Sequence, residues 1–428
     1  MTATVPSIPD DLIPDILLRL PAAAVVRSRA VCKQWRDLVD DAGFLVEHHR
    51  RRPPAPLLCF RRDDPPLADP DHTTTTSPRK FRVRLDAVDL RAGETNKIFS
   101  FAAPARKDHW RWGPLRIGYT PGSHYERDRL VFKDDGAFAV HGSCAGVLLV
   151  SYKSATYLVN PARRRWSRTQ SGAGCGGVLG FYLHRPSGEF RALCHVAKSY
   201  LANDFRILTL PPAREVQRRI LGGPHTAQQL MGAVPTESPP ALVAGNLHWL
   251  RQGDGGILVF DTVAETARLM RPPPPVDGAH VAAQTLLEID GKLTMTTVTV
   301  AGTVNLLTAA ELWVLRDYER DDDDSWARQL GPVPLPADEI ARLGGGAVAV
   351  VSMEGDVVVR CAECMLQCDA MGRVRGRYEM EGRRFVGVPH LFKESLVPHA
   401  HVDGREVLTG FEHIQSPPFF LDIYQDDD

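Results

Sequence analysis

The sequence predicts a multidomain protein in which a small all-α module precedes a large all-β domain. Three observations lead to this fold class. Apolar residues recur at helical spacing from residue 8 to about residue 52, prolines and threonines crowd residues 53–80, and short apolar runs separated by glycine turns fill the remainder. We therefore place a helical domain at 6–52, a linker at 53–80 and an all-β domain at 81–428. Within the linker, residues 57–60 (LLCF) are a candidate short strand of the β domain.

Length and composition narrow the function classes. The chain has 428 residues with 51 basic and 52 acidic side chains, a formal net charge of −1. Nucleic-acid binding generally needs a basic excess, so we expect no nucleic-acid partner. The N-terminus lacks the features of a secretory signal and no apolar run is long enough to span a membrane, so we expect no membrane contact. Eight sparse cysteines indicate reduced thiols, and we expect a cytoplasmic and/or nuclear protein.

The helical module begins with an amphipathic segment. Its apolar positions are Ile8, Leu12, Ile13, Ile16, Leu17 and Leu20. Their spacing predicts a first helix with one broad apolar face. Asp10 or Asp11 is a suitable N-cap, Pro14 is tolerated in the first turn, and Pro21 ends the helix.

Two further helices, and a last turn or two that begins at Phe44 and Leu45, complete this module. A short second helix fits residues 22–29, and a third has its apolar positions at Val31, Trp35, Leu38 and Val39. A module of roughly 45 residues buries too little surface to be robust alone. Its apolar faces either pack on one another and on the β domain or are covered by a partner, and the small size favours a partner.

The segment IPDDLIPDILLRLPAAAVVRSRAVCKQWRDLVDDAGFLVEHH resembles an F-box of the kind found in large plant families. The matching features are the Pro-Asp-Asp-Leu start, the Ile-Leu-Leu-Arg-Leu-Pro run and the Arg-Ala-Val-Cys-Lys-x-Trp-Arg segment. Ile8 stands where leucine is usual, and Pro14 replaces a polar helical residue. The resemblance implies that the module docks on the Skp-type adaptor of a ubiquitin ligase, and through it on cullin and RING subunits.

The same resemblance implies which side chains contact the adaptor or support the contact. These positions are Ile8, Pro9, Leu12, Ile16, Leu20, Val31, Cys32 and Trp35. For Pro9 and Leu12 we favour a direct contact. For Val31 and Trp35 a role in the core of the module itself is an open alternative.

A repeat runs through the β domain, in which a glycine precedes three short strands and their turns. Its copies start at Gly146, Gly188, Gly245, Gly291 and Gly355. Spacings of 42 to 64 residues with several strands each are typical of propeller blades. At roughly 50–58 residues per blade, residues 81–428 predict six or seven blades. A set of independent β-sandwiches is the rival arrangement.

The β domain also resembles the F-box-associated region of those plant families, which is similar to kelch-type propellers. The segments that carry the resemblance are Asn160-Pro161 before Trp166, Gly180-Phe181-Tyr182, Gly245 to Trp249, Leu258 to Asp261, Glu311 to Leu315, Ser325-Trp326 and Glu394-Ser395-Leu396. The resemblance implies that this domain binds a target protein, whose identity the sequence does not reveal.

Motifs for catalysis or cofactor binding are missing from fitting contexts, so we expect no catalytic residue, cofactor or metal. Cys361, Cys364 and Cys368 form a metal-like cluster, but zinc takes four ligands and these positions also suit strand packing. The aromatic and basic segment His109 to Trp112, with Tyr119 and Tyr125, either contacts a partner or packs between blades. The acidic runs 321–324 and 426–428 are expected to be solvated.

Two functions from different classes follow. In the first, the protein is the non-catalytic substrate-recognition subunit of an SCF-type (Skp–cullin–F-box) ubiquitin ligase. In the alternative, it is a propeller enzyme or sugar-binding module with a regulatory helical appendage. The F-box resemblance favours the first. We also expect few contacts across the proline-rich linker, so that the two domains unfold independently.

Overall fold

The computed structural model describes residues 8–63, 80–104, 138–152, 155–169, 177–197, 203–210, 218–219, 239–251, 256–274, 280–301, 306–318, 320, 325–344, 346–379 and 384–403. The helices are α1 (Ile13–Arg19), α2 (Ala22–Ser28), α3 (Lys33–Asp40), α4 (Ala42–Arg51), α5 (Ala337–Arg342) and α6 (Ala400–Asp403). The aromatic segment around Trp110 and both acidic runs lie outside the described residues.

The described strands form six four-stranded antiparallel sheets, which are the blades of a β-propeller. Blade 1 contains β1 (Ala55–Asp63), β2 (Lys80–Asp89), β3 (Glu94–Pro104) and β24 (Arg384–Phe392); blade 2 contains β4 (Phe138–Cys144), β5 (Val147–Tyr152), β6 (Ala155–Asn160) and β7 (Arg165–Thr169); blade 3 contains β8 (Gly177–His184), β9 (Glu189–Ala197), β10 (Asn203–Leu210) and β11 (Arg218–Arg219). Blade 4 contains β12 (Ala241–Val243), β13 (Asn246–Leu250), β14 (Ile257–Asp261) and β15 (Thr266–Met270); blade 5 contains β16 (His280–Ile289), β17 (Lys292–Ala301), β18 (Leu306–Leu315) and β19 (Trp326–Pro334); blade 6 contains β20 (Val348–Val350), β21 (Val357–Arg360), β22 (Met365–Cys368) and β23 (Val374–Tyr378). Inner strands contact one another between blades 1 and 2, 2 and 3, 4 and 5, and 5 and 6. Blades 3 and 4 and blades 6 and 1 share hydrophobic cores, so independent sandwiches are excluded.

Blade 1 closes the ring with strands from both ends of the β domain. Its inner strand β24 pairs antiparallel with β1, with Cys59 opposite Val386. Strand β1 lies inside residues 53–80, which we predicted as linker, and it contains the candidate strand at 57–60. Its Leu57 and Leu58 side chains are buried. The propeller therefore begins at Ala55 and not at residue 81.

The glycine repeat corresponds to the turns between the first and second strands of five blades. Gly146, Gly188, Gly245, Gly291 and Gly355 all have positive φ, between 67° and 96°, a conformation that side chains with a Cβ rarely adopt. In blade 1 the first two strands, β24 and β1, are not consecutive in sequence, so that blade has no such turn. The repeat therefore detects five blades while the ring contains six.

The two ends of the propeller differ in their connections. In each blade, the first strand ends and the second begins at the same end of the propeller at which the third strand ends and the fourth begins. We call this the turn end, because in blades 2 to 6 a turn joins the first two strands there. Because neighbouring strands are antiparallel, the other connections leave from the opposite end, which we call the loop end. Helix α5 and residues 361–364 lie at the loop end.

Glycine permits close approach between blades 3 and 4. A Cβ on Gly180 of β8 would lie 2.6 Å from Cδ1 of Leu247 in β13. Beside this contact the indole Nε1 of Trp249 donates a hydrogen bond to the Leu179 carbonyl at 3.2 Å. Two of the segments that carried the sequence resemblance therefore meet at one boundary between blades.

A buried histidine between blades 4 and 5 makes propeller stability depend on pH. His248 Nδ1 donates to the Ala241 carbonyl and Nε2 accepts from the Tyr318 hydroxyl, which requires a neutral ring. Burial lowers the pKa of His248 to about 4, from a usual value of 6.5. The unfolded chain therefore binds the proton more tightly, and stability that is present above pH 6.5 is lost as the pH falls towards 4.

We expect His248 to account for about 3 kcal/mol of the unfolding free energy lost across that range. Denaturant unfolding at pH 7.5 and pH 4.5 measures the total loss. His248→Gln lowers stability at pH 7.5 but is expected to make its pH dependence shallower. An unchanged pH dependence in this variant would contradict the assignment.

The four N-terminal helices form a core of their own that extends to the propeller. The buried members are Ile13, Leu17, Leu18, Ala22, Val25, Val39, Phe44, Leu45 and Leu396. Leu396 follows β24, and the partly buried Ala162 and Val397 pack against the same cluster. Our expectation of few contacts between the domains is therefore wrong, because a segment after the last strand returns to the helices.

The local helix signals differ slightly from the sequence prediction. Helix α1 begins at Ile13 after a turn over residues 10–12, so its N-cap is Leu12 and not Asp10 or Asp11. Helix α3 begins after Cys32, whose Sγ accepts a hydrogen bond from Trp35 N at 3.4 Å, so Val31 precedes the helix. Within the residues described, helices that combine the length and the hydropathy of a membrane span do not occur.

Candidate functional site

The first helix and the residues just before it carry two sets of apolar side chains, one buried and one exposed. Ile13 and Leu17 are buried in the helical core. Ile8, Leu12 and Ile16, which recur every four residues, have exposed fractions of 51%, 47% and 39%. Exposed large apolar side chains at regular spacing are a typical feature of interaction sites.

The turn between α2 and α3 adds to the exposed apolar surface. Val31 is 63% exposed, and Cys32 and Pro9 are exposed as well. The alternative of a core role therefore does not apply to Val31. We call Ile8, Pro9, Leu12, Ile16, Val31 and Cys32 the exposed apolar set.

Two of the eight positions that the resemblance assigned to the adaptor contact or its support are half-buried instead of exposed. Trp35 and Leu20 are half-buried and pack against the helical core. The Leu20 carbonyl also accepts hydrogen bonds from His48 Nε2 at 2.9 Å and from Arg52 Nη1 at 2.7 Å. These contacts tie the end of α1 to α4, so Leu20 and Trp35 support the shape of the module rather than add to its exposed apolar set.

Sequence reasoning missed two exposed apolar residues on the module. Val26 of α2 is 41% exposed and Val46 of α4 is 57% exposed. Each follows a buried neighbour, Val25 or Leu45, in a run of apolar residues. A run of apolar residues does not reveal which of two neighbours faces the core. The exact register of the helix would distinguish the buried residue from the exposed one.

Charged side chains are exposed on the same module. Hydrogen bonds from Arg50 and Arg51 lower the pKa of Glu47 to about 2. Arg51 also lies 3.4 Å from Asp15 of α1. Because these ion pairs are solvent-exposed, they contribute little to stability and mainly keep the surface beside α1 charged.

The three clustered cysteines belong to the core between blades 5 and 6. Burial raises the pKa of Cys361 to about 12 and that of Cys368 to about 11. Among the described residues, His, Cys, Asp and Glu side chains do not come together in groups of three or more that could hold a metal ion. Their positions on and beside β21 and β22 suit hydrophobic packing.

We therefore expect replacement of Cys361, Cys364 and Cys368 by alanine to cost stability, on the order of 1 kcal/mol per buried thiol, without releasing metal. Elemental analysis of the purified wild-type protein tests the second part. Stoichiometric zinc in that protein would overturn the packing role.

A cavity of about 420 Å³ lies beside the turn end of the inner strands. Its lining includes the cationic side chains of Arg185 and Lys393. Glu288 is the single carboxylate among the described lining residues, and its Oε1 accepts a hydrogen bond from Gly291 N at 2.6 Å. Glycoside hydrolysis generally takes a pair of carboxylates, which this described lining does not supply.

Comparison with known proteins agrees with the helical part of this description. Residues 5–47 match the F-box domain family. An F-box protein of Arabidopsis thaliana is 46% identical over 39 residues, which are 9% of this chain and 10% of the length of that relative. This chain therefore matches only a small part of the length of that relative.

Solved structures resemble the chain more distantly. TolB from Acinetobacter baumannii is 13% identical with a TM-score of 0.41, over 87% of this chain and 73% of TolB. The β-propeller domain of Cps50 (Swd1) from Myceliophteria thermophila is 10% identical with a TM-score of 0.33, over 71% of this chain and 84% of that domain. At these TM-scores the likenesses carry no argument, and the blades are assigned from strand pairing.

The helical module thus combines a four-helix core, an exposed apolar set and a sequence match over nearly its whole length. The chain carries an F-box domain at residues 5–47, and a six-bladed β-propeller follows it.

Proposed function

We propose that this protein is the substrate-recognition subunit of an SCF-type ubiquitin ligase. An F-box domain followed by a β-propeller fits an F-box substrate receptor. The observation that carries the finer proposal is the exposure of Ile16 on α1 and of Ile8 and Leu12 in the residues just before it. F-box domains in general bind Skp-type adaptors, and these apolar side chains offer such a partner a surface to bury.

In this proposal the residues of the exposed apolar set contact the adaptor directly. Half-buried Leu20 and Trp35 act through the helices that they hold in place. The adaptor then joins the protein to cullin and RING subunits, and those subunits carry out ubiquitin transfer. The proposed protein has a binding role without catalysis, and acts in the cytoplasm, the nucleus or both.

We further propose that the target protein binds at the loop end of the propeller. The residues that follow β24 contact both the F-box helices and the turn end, so the helices occupy the turn end. The loop end faces away from them and remains accessible when an adaptor is bound. Loops held on a rigid scaffold are a common location for binding residues.

Affinity capture with the full chain tests this function. The wild-type protein is expected to retain a Skp-type adaptor, a cullin and a set of propeller-bound proteins. A variant with Leu12→Asp and Ile16→Asp is expected to retain the propeller-bound proteins alone. Point substitutions are preferable to deletion of residues 1–52, because deletion would uncover Leu396.

The same capture discriminates against the alternative of a propeller enzyme or sugar-binding module. Purified wild-type protein that forms no complex with a purified Skp-type adaptor would contradict the receptor function. Ubiquitination of a captured protein in a reconstituted ligase, dependent on this chain, would support it.

A further inference from the structure

Residues 393–403 form a connection between the F-box domain and the propeller. We call this segment, which follows β24 and ends with α6, the strap. It includes the Glu394-Ser395-Leu396 motif. On one side the strap contacts the turn end of blade 2, and on the other it contacts the F-box helices.

The strap is closely seated on blade 2. A Cβ on Gly146 would lie 2.2 Å from Cβ of Ser395 and 2.7 Å from its backbone nitrogen, so only glycine admits the strap at this turn. Asn160 Nδ2 donates to the Ser395 carbonyl at 3.2 Å, and Arg163 Nη1 donates to the Leu396 carbonyl at 2.8 Å.

The end of the strap is anchored in the same way. His399 Nε2 donates to the Ala145 carbonyl at 3.2 Å. Beyond it, Val402 of α6 is buried in the core shared by blades 2 and 3. The strap is therefore part of the folded propeller on this side.

The opposite side of the strap is bound to two helices, α2 and α4, and to the residue after α4. A Glu394 carboxylate oxygen, Oε1, accepts a hydrogen bond from Ala22 N at 2.9 Å, at the start of α2, and lies 3.4 Å from Arg52 Nη1. The Glu394 carbonyl accepts from His49 Nδ1 of α4 at 2.8 Å. Leu396 completes the helical core. Glu394 alone thus accepts hydrogen bonds from Ala22 of α2 and His49 of α4 and forms an ion pair with Arg52, the residue after α4.

We infer that the strap fixes the orientation of the F-box domain on the turn end, with Glu394 and Ser395 as positioning residues. The covalent connection from α4 to β1 is only residues 52–54, and a single short connection fixes the distance between two bodies but not their angle. The strap adds a second attachment on a different blade. Two separated attachments prevent a pivot about the first.

For the ubiquitin ligase role, which rests on the proposed function, this coupling holds the loop end in one orientation relative to the adaptor. A bound target would then be presented at a constant position. The coupling itself does not depend on adaptor binding, so the two ideas can fail separately.

Two glycine variants of the full chain test the coupling. Gly146→Ala places a Cβ against the strap. Gly245→Ala is the matched control, because it also follows an alanine and shares the same φ of 77°, but its Cβ would meet nothing within 4 Å. Both variants carry the same backbone strain, and only the first displaces Ser395.

The measurement is the distance distribution between spin labels attached to cysteines introduced at Asp37 of α3 and at Met371 of blade 6. Cys32 and Cys175 are replaced by serine so that they take up no label. Both labelled positions are exposed. We expect a single narrow distribution for the unsubstituted protein and for Gly245→Ala, and a broadened or shifted one for Gly146→Ala. Equal narrow distributions for both variants would overturn the inference.

A second pair of variants covers the case in which both glycine variants misfold. Glu394→Ala removes the acceptor for Ala22 N, whereas Glu394→Gln retains an acceptor oxygen there. We expect broadening with Glu394→Ala and a distribution close to the unsubstituted one with Glu394→Gln. An unchanged distribution in Glu394→Ala would also overturn the inference.

Adaptor binding serves as the independent readout. Purified Skp-type adaptor is expected to bind the Gly146→Ala, Glu394→Ala and unsubstituted proteins alike, because the exposed apolar set does not include the strap. If the adaptor binds none of them while the distances change as expected, the proposed function fails and the coupling stands. If the adaptor binds all of them and the distances stay constant, the coupling fails alone.

Discussion

Replacement of both Leu12 and Ile16 by aspartate is expected to abolish binding of a Skp-type adaptor while the protein stays folded. Both side chains are exposed in the free protein, so the carboxylates remain hydrated there. In the complex they would be buried without partners, at a cost of about 3 kcal/mol or more, which weakens binding by at least about a hundredfold. Titration calorimetry with purified adaptor measures the change.

A matched double substitution on the propeller controls for added charge. Val263 and Val374 have exposures of 50% and 37%, similar to those of Leu12 and Ile16, and lie in and beside the outer strands of blades 4 and 6. Val263→Asp with Val374→Asp is expected to leave adaptor affinity unchanged. Equal losses in the two double variants would show that the apolar side of α1 is not the docking surface.

Substitution of Leu17 by alanine is expected to unfold the F-box domain. Leu17 has no exposed surface and lies at the centre of the helical core. Truncation of a buried leucine costs roughly 2–5 kcal/mol, and whole domains have only about 5–15 kcal/mol. Helical circular dichroism and adaptor binding should be lost, whereas the main β-sheet transition persists because strands supply the propeller cores.

The adjacent residue provides the comparison for this prediction. Ile16→Ala removes an aliphatic side chain from the exposed side of the same helix, so it should weaken adaptor binding with little effect on melting. Trp35→Ala, at a half-buried position, should fall between the two in stability. Equal destabilisation by Leu17→Ala and Ile16→Ala would contradict the division of α1 into a core side and a binding side.

Local patterns in the sequence were sufficient for the order and type of the domains. Helical spacing up to residue 52 and glycine-led strand repeats afterwards both arise from neighbours in sequence, which is why they are readable without tertiary structure. The F-box match depends on the same local features. The glycine repeat detected five blades and the length of the domain predicted six or seven. The repeat missed one blade because the blade that closes the ring joins strands from opposite ends of the domain.

Tertiary contacts decided which apolar residues are available to a partner. In the first helix, Ile13 and Ile16 belong to one apolar segment, and only packing against the other helices determines that the first is buried and the second exposed. Burial is a property of all surrounding elements, so a single helix pattern does not contain it. The same holds for Val31, which the helical period placed among the apolar positions of the third helix although it precedes α3.

The relation between the domains was also determined by the tertiary structure. The proline-rich composition after residue 52 indicated an independent linker, yet β1 starts within it, and Leu396 reaches the helical core from the other end of the domain. These contacts join residues more than 300 positions apart, as in the hydrogen bond from Ala22 to Glu394. By itself the sequence determined that this protein has an F-box module and a repeating β domain, and only the fold determined that a strap holds them together, because contacts across such separations have no local signature.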